Sequence, residues 1–497
     1  MNDRLDVLQA TYERLQDAED LRRAGDLDQA ETIARHLIDE HPTYWGAQHT
    51  LGLVHFDKRQ FIQAYDHLSR AALLSPDNPL TMALLARTCL ELDAQRLAER
   101  WLDAALQIAP DNAHVLFALG ELHRAHNEFL LASEVYRQAL ALDGEHAQAK
   151  TALGSSLIDL GRHSEAVALL EPIMAFRQLD PLYELARVPP CETRVDVLAE
   201  LNHLEPSAPH KSAENQISIA FMKATALHNT GRHTEAWHHM VEANRLALMG
   251  REGELAQQES HQRASLEAMQ LAAGRYRAHP VDPQRPKSLF ILGPSRSGKT
   301  SLERLISTLE GVCSGFESRL LQGAVRHSFQ DAGLVPCEML ELLPLELHEG
   351  CRERYFRALS HKHGSARIVT NTSPGLITEA LRIAPVIPNA CFVLVQRNIE
   401  DTLLRIFMKL YRAGNVYAYD LNAARRHIIW YNEMMLLLAE AYPERTLLIR
   451  YEDMIEEPEA IRQAIADLIG LDAPITSPAR PVDDRNCARH YQDWLAA

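Results

Sequence analysis

Alanine returns every thirty-four residues, at Ala30, Ala64, Ala98, Ala132 and Ala166. Gly52, Ala86, Gly120 and Gly154 keep the same interval, and so do Pro42, Pro76 and Pro110. A fixed period of this length belongs to units of two antiparallel helices, none of which can bury its apolar face alone, so that each stacks on the next. The small residues let paired helices approach, and proline stops the second helix before the next unit begins. Trp45, Phe56, Phe61, Tyr65, Phe117, Phe129 and Tyr136 lie between the small positions and are expected to fill the inter-helix core. The phase is lost over about 171–212, where Pro189 and Pro190 mark irregular helices. It returns at Glu214 to Leu248, where Gly231-Arg232-His233 repeats Gly161-Arg162-His163.

A charged helix from Glu252 to Ala278 then meets Pro280, Pro283 and Pro286, which cannot continue it. The expected organisation is an all-α domain at 1–275, a linker at 276–287 and a second domain at 288–497. In the second domain, apolar runs at Leu289–Leu292, Ile368–Thr370, Cys391–Val395 and Leu447–Ile449 are each followed by a helical pattern. This alternation predicts a parallel sheet covered on both faces, with ligands at the carboxyl ends of its strands. Arg296, Asn371, Arg397 and Tyr451 stand just after the four runs. The first run passes into a loop from Gly293 to Gly298 and then a helix with Leu302, Leu305, Ile306 and Leu309 on one face. Strand, glycine loop and helix N-terminus in this order make a phosphate site, because backbone N–H groups and the helix dipole converge on one anion.

The loop's letters fit two kinds of phosphate site. Gly293, Gly298, Lys299 and Thr300 satisfy the triphosphatase spacing G-x-x-x-x-G-K-S/T, which implies ATP with magnesium. Pro294, Arg296, Ser297, Gly298 and Thr300 also resemble the P-x-R-S-G-S/T-T loop of sulfotransferases. Three more segments favour the second kind. Cys391 to Thr402 resembles that family's strand and R-D/N-P-x-D-T turn, Gly414 to Leu421 is close to G-N-x-Y-A-Y-D-L, and Arg450-Tyr451-Glu452-Asp453 matches R-Y-E-D. On these residues the chain resembles bacterial sulfotransferases that carry an N-terminal tetratricopeptide array, and its catalytic half is also similar to protein-tyrosine sulfotransferases. The resemblance implies an all-α tetratricopeptide superhelix followed by an α/β P-loop-like sulfotransferase domain with a parallel sheet. It also implies transfer of a sulfuryl group from 3′-phosphoadenosine 5′-phosphosulfate (PAPS) to a hydroxyl acceptor, a protein or peptide tyrosine among the candidates, leaving adenosine 3′,5′-bisphosphate.

The same resemblance assigns Pro294, Ser295, Arg296, Ser297, Gly298, Lys299, Thr300 and Ser301 to the donor's 5′ end and Arg397 to its 3′-phosphate, with Arg405, Lys409, Tyr451 and Arg485 around the nucleotide. Read from the residues alone, the alternative for Arg397 is a strand-end ion pair with Asp401. Arg296 is expected to stabilise charge on the bridging oxygen; a sulfuryl group carries less charge than a phosphoryl group, so arginine and backbone donors suffice without magnesium. Gly315-Phe316-Glu317-Ser318-Arg319 resembles G-E-E-T-R, which makes Glu317 the base and Arg319 the residue that steers an acidic or peptide acceptor. Thr372 stands where the family has a lysine, Arg405 where it has a serine, and Lys299 where it has a loop hydroxyl. Lys299 is therefore expected to supply the ammonium missing at Thr372 and to join Arg296 and Glu317 as a catalytic group. Two alternatives stay open: a P-loop kinase or triphosphatase using ATP and magnesium, and a catalytically degenerate repeat scaffold.

A net charge of −16 argues against nucleic acid or an anionic membrane as the main partner. Met1 to Leu21 is polar throughout and no apolar run reaches about 18 residues, so the reading is a cytoplasmic protein without a membrane span. Seven scattered cysteines fit reduced thiols, and none of the 24 histidines falls in a metal spacing, so no metal site is expected. Tetratricopeptide arrays present a concave groove, which makes a protein or peptide segment the expected partner, with a homodimer contact as the alternative.

Overall fold

The computed structural model describes residues 2–92, 94–126, 128–176, 179–188, 192–204, 213–272, 274, 280–315, 317–411, 414–471, 483 and 485–495. They fall into two compact units, 1–211 and 212–497.

The first unit is built from consecutive helix pairs, from Asn2–Ala24 with Leu27–Glu40 to Ala147–Asp159 with His163–Leu170. The five periodic alanines are each at most 1% exposed, so the thirty-four-residue interval marks a packing requirement. A Cβ at Gly52 would stand 2.6 Å from Leu68, at Gly120 2.3 Å from Tyr136, and at Gly154 2.7 Å from Leu170; the first helix of each pair touches the second at this position. The helices end at Glu40, Leu74 and Ile108, just ahead of the periodic prolines. Asn78 and Asn112 restart the chain as caps, each accepting two backbone N–H groups of the following helix. Of the seven aromatics, only Phe117 and Tyr136 are buried, because alanine and leucine already close the inter-helix space. The rings of Phe56 and Phe117 instead hold the Arg87 guanidinium, at 4.9 and 4.8 Å. Beyond the last pair come a short 3-10 helix, Glu171–Phe176, and two helices, Leu179–Ala186 and Val197–Leu204; Pro189 and Pro190 lie outside the described residues.

The second unit opens with helices Ala213–Asn229, His233–Leu248 and Glu252–Ala272. The repeat-like pair is present, but it packs with the strand domain: Asn244 Nδ2 donates to the carbonyl oxygen of Phe407 at 2.8 Å. The pair and the strands thus belong to one compact unit, 212–497. Of the linker expected at 276–287, residues 280–287 are described, and Asn389 pins them by accepting the N–H of Asp282 and donating to the carbonyls of Asp282 and Arg285.

Five strands follow: β1 (Lys287–Leu292), β2 (Val312–Cys313), β3 (Ile368–Asn371), β4 (Ala390–Gln396) and β5 (Thr446–Arg450). All pairings are parallel and the order is β2-β3-β1-β4-β5. Phe290, Leu292, Phe392 and Leu394 enter one core and Leu289, Ile291, Val393 and Val395 the other, which explains why the runs are apolar without alternation. The chain leaves β1 toward β3 and later crosses to β4, so the strand order reverses at β1 and a crevice opens at its carboxyl end. Among the described residues no helix is long and apolar enough to cross a membrane.

Candidate functional site

The loop after β1 lies at this crevice. Arg296 (φ 65°) and Gly298 (φ 101°) are both left-handed, a conformation that costs a residue with a Cβ about 1–2 kcal/mol. Such strain persists only where the surroundings hold it, and ligand clamps are where it collects. Gly298 starts the helix Lys299–Ile306, and a Cβ there would stand 2.4 Å from the Tyr451 ring. Gly298→Ala is therefore expected to destabilise the C-terminal unit by roughly 2 kcal/mol, measured by urea unfolding.

Lys299 is buried and turns back on the loop, its ammonium donating to the carbonyl oxygens of Gly293 at 2.8 Å and Pro294 at 2.9 Å. Burial pulls its pKa down to about 8; the Glu317 carboxylate opposes the shift, and the charges of Lys409 and Arg296 reinforce it. Ser295 shares a hydrogen bond with the Tyr411 hydroxyl at 2.9 Å, and the Gly293 N–H donates to the Tyr431 hydroxyl at 3.3 Å. Ser297 is fully buried, and its hydroxyl has no partner among the described residues. Pro294 is buried, while Thr300 is exposed and Ser301 half-buried in the first helical turn.

Arg397 comes to the loop from the end of β4. Its guanidinium is buried 4.3 Å over the Tyr451 ring and donates to the carbonyl oxygen of Arg296 at 3.3 Å. Asp401 lies 3.9 Å away but gives its oxygens to the C-terminal segment, accepting the N–H groups of Asn486 at 2.7 Å and Ala488 at 2.9 Å. Its main task is to anchor that segment beside Arg397. Lys409 is exposed, with its ammonium 4.9 Å over the Tyr411 ring. The charge of Arg405 acts on His228 and Cys487, toward the C-terminal segment. Arg485 is engaged by Asp483 and Glu456.

Glu317 is exposed in the turn between β2 and the helix Leu320–Asp331. Asn371, at the end of β3, donates to the carbonyl oxygen of Ser318 at 2.8 Å, and the Thr370 hydroxyl accepts the N–H of Gly315 at 3.0 Å while donating to buried Glu303. The turn is thereby fixed to the strand beside β1, and the field of Glu317 reaches both Lys299 and Tyr431. Arg319 donates to Glu338 at 2.8 Å. Thr372 is buried next to Asn371. The structure thus gathers the loop, Lys299, Glu317, Arg397 and Tyr451 at the carboxyl ends of the strands, while Arg485 and Arg319 are engaged by neighbouring carboxylates.

Tyr411, Tyr431 and His427 are absent from the sequence reading. His427 accepts a hydrogen bond from Gln262 and is driven down to about 3 by burial, with the charge of Lys299 adding to the shift; its imidazole is neutral. The one signal pointing here was the tyrosine-rich stretch Gly414 to Leu421. A separate cleft of about 380 Å³, lined by Arg285, Lys287 and Arg367, opens at the amino ends of β1 and β3, away from the loop.

Residues 286–474 match the Sulfotransferase family along the stretch that carries the loop, Glu317, Arg397 and Tyr451. The C-terminal half is a sulfotransferase-family domain. Residues 123–188 match the tetratricopeptide repeat, so a sulfotransferase domain follows a repeat array on one chain. No curated protein matches the chain. Similar solved structures include the type IV pilus biogenesis factor PilW (18% identity, 40% of this chain and 91% of that one, TM-score 0.33). A thermophilic tetratricopeptide protein of Thermus thermophilus is another (17% identity, 43% and 98%, TM-score 0.29). MamA is similar over 33% of this chain and 90% of its own (19% identity, TM-score 0.25).

Proposed function

We propose that the sulfotransferase domain moves a sulfuryl group from PAPS to a hydroxyl acceptor. The observation that carries this reading is Arg397: a buried guanidinium at the end of β4, stacked on Tyr451 and bonded to the phosphate loop of β1. A glycine loop alone accounts for one phosphate; an arginine beside it, from another strand, suits a nucleotide with a second, separate phosphate. The buried Ser297 hydroxyl, which has no partner among the described residues, fits a loop shaped to face an anion.

In this reading the donor supplies the activated sulfuryl group and the chain supplies the rest. Arg397 and Tyr451 hold the 3′-phosphate side. The loop amides, Arg296 and the Lys299 ammonium place positive charge where negative charge builds. Glu317, exposed in the turn that Asn371 and Thr370 fix to β3, takes the proton of the acceptor hydroxyl. Arg319, now paired with Glu338, would steer the acceptor, a protein or peptide tyrosine among the candidates. One observation favours ATP and magnesium instead, the G-x-x-x-x-G-K-T spacing of Gly293 to Thr300.

Thermal shift separates these readings, because a ligand that binds only the native state raises its melting temperature. Adenosine 3′,5′-bisphosphate is expected to raise the Tm and ATP with magnesium to leave it unchanged. The reverse pattern would install the triphosphatase reading, and no shift with either would leave a scaffold.

A further inference from the structure

The family match begins at residue 286, yet the helix Glu252–Ala272 reaches the phosphate loop through an unbroken set of contacts. Gln258 and Gln262 stand four residues apart, on one face of that helix. Gln258 uses both ends of its amide: Nε2 donates to the carbonyl oxygen of Gly414 at 2.9 Å, and Oε1 accepts the N–H of Tyr417 at 3.1 Å. Gln262 Nε2 donates to Nδ1 of buried His427 at 2.8 Å, which leaves the proton of the neutral ring on Nε2. That ring lies flat on Tyr417, with centroids 3.6 Å apart.

From there the contacts run to the loop. In the same turn Tyr419 accepts the N–H of Tyr411 at 3.1 Å and donates its hydroxyl to the carbonyl oxygen of Tyr411 at 2.6 Å. Tyr411 bonds Ser295, and Tyr431, four residues beyond His427, accepts the N–H of Gly293. Gly293 and Ser295 are thus held by two tyrosines whose segment is held by two glutamines. A loop that works by presenting N–H groups in fixed directions loses much when they shift by an ångström, and this one carries a left-handed Arg296 that needs outside support.

We propose that Gln258 and Gln262 are positioning residues of the phosphate loop, so that the working catalytic unit includes the helix Glu252–Ala272 ahead of the family match. The positioning claim stands on the contacts, and only its nucleotide readout rests on the donor proposed above.

The test uses the full chain carrying Gln258→Met with Gln262→Leu, and ligand-free hydrogen exchange followed in peptides covering 293–298 and strands β1 and β4. The loop amides are expected to exchange about tenfold faster than in the parent, with the strands unchanged. Tyr411→Phe, which removes only the hydroxyl bond to Ser295, should reproduce part of this effect. Affinity for adenosine 3′,5′-bisphosphate should fall about tenfold in the double variant. Gln258→Glu, which keeps the acceptor for Tyr417, should fall less. Loop exchange within twofold of the parent would overturn the proposal, and so would equal acceleration in the strands, which would make the glutamines general supports of the fold. A parent that binds no bisphosphate would remove the donor reading and leave the exchange result to decide the positioning.

Discussion

Exchange of Lys299 for threonine is expected to lower kcat/KM about 10²–10³-fold, the loss typical when one preorganised donor to developing charge is removed. Two of the lysine's three N–H groups go to the loop carbonyls of Gly293 and Pro294, so the ammonium is fixed in place before any substrate arrives. Because its pKa lies near 8, the charged form declines above that pH. In the parent, kcat/KM should therefore be level approaching pH 8 and then fall about tenfold per unit, since this ratio reports groups of the free enzyme. The threonine variant should lack this limb. The same shift acts on stability with a definite sign. The unfolded chain releases the proton only near the ordinary 10.5, so it binds more protons than the folded chain between about 8 and 10.5, and stability rises with pH across that window. Turnover unchanged in the variant would remove Lys299 from the catalytic groups.

Arg397→Ala is expected to weaken adenosine 3′,5′-bisphosphate binding about a hundredfold, since truncating one partner of a buried charge pair typically costs 2–5 kcal/mol and 1.4 kcal/mol is a factor of ten. Adenosine 5′-phosphate, which lacks the 3′ group, should bind parent and variant alike. Calorimetry with both nucleotides makes the comparison, and equal losses for the two would show that Arg397 shapes the loop without reading a second phosphate. Arg397→Lys should recover little, because an ammonium can neither fork to a phosphate nor stack flat on Tyr451.

Much of this molecule could be read from local pattern. The thirty-four-residue period is set by close contacts such as Gly120 on Tyr136, and each contact recurs because each helix pair repeats the last. β1, β3 and β4 were visible because burial on both faces demands continuous apolar runs, and edge strand β5 because its short run Leu447–Ile449 is apolar as well. The two-residue β2 is too short to leave a pattern, and it is the element ahead of Glu317. The glycine loop after β1 was legible because strand, glycines and helix are consecutive in the chain. The supports of that loop were not. Tyr411, Tyr431, Gln258 and Gln262 act across long separations, and nothing in local spacing distinguishes them from other buried polar residues. Asp401 was legible as an ion-pair partner of Arg397, which it is at 3.9 Å, and only its contacts with Asn486 and Ala488 show that the same carboxylate anchors the C-terminal segment.

The order of residues by itself determined the helix repeat, the parallel strands and the glycine turn, since each follows from periodicity, propensity or backbone freedom within a few neighbouring positions. Tertiary structure alone decided where the compact units divide and which side chains meet at the turn. Three prolines can end a helix, but they do not say what it packs against, and helices 213–272 place polar contacts such as Asn244 on Phe407 and Gln262 on His427 within the compact unit of the strands.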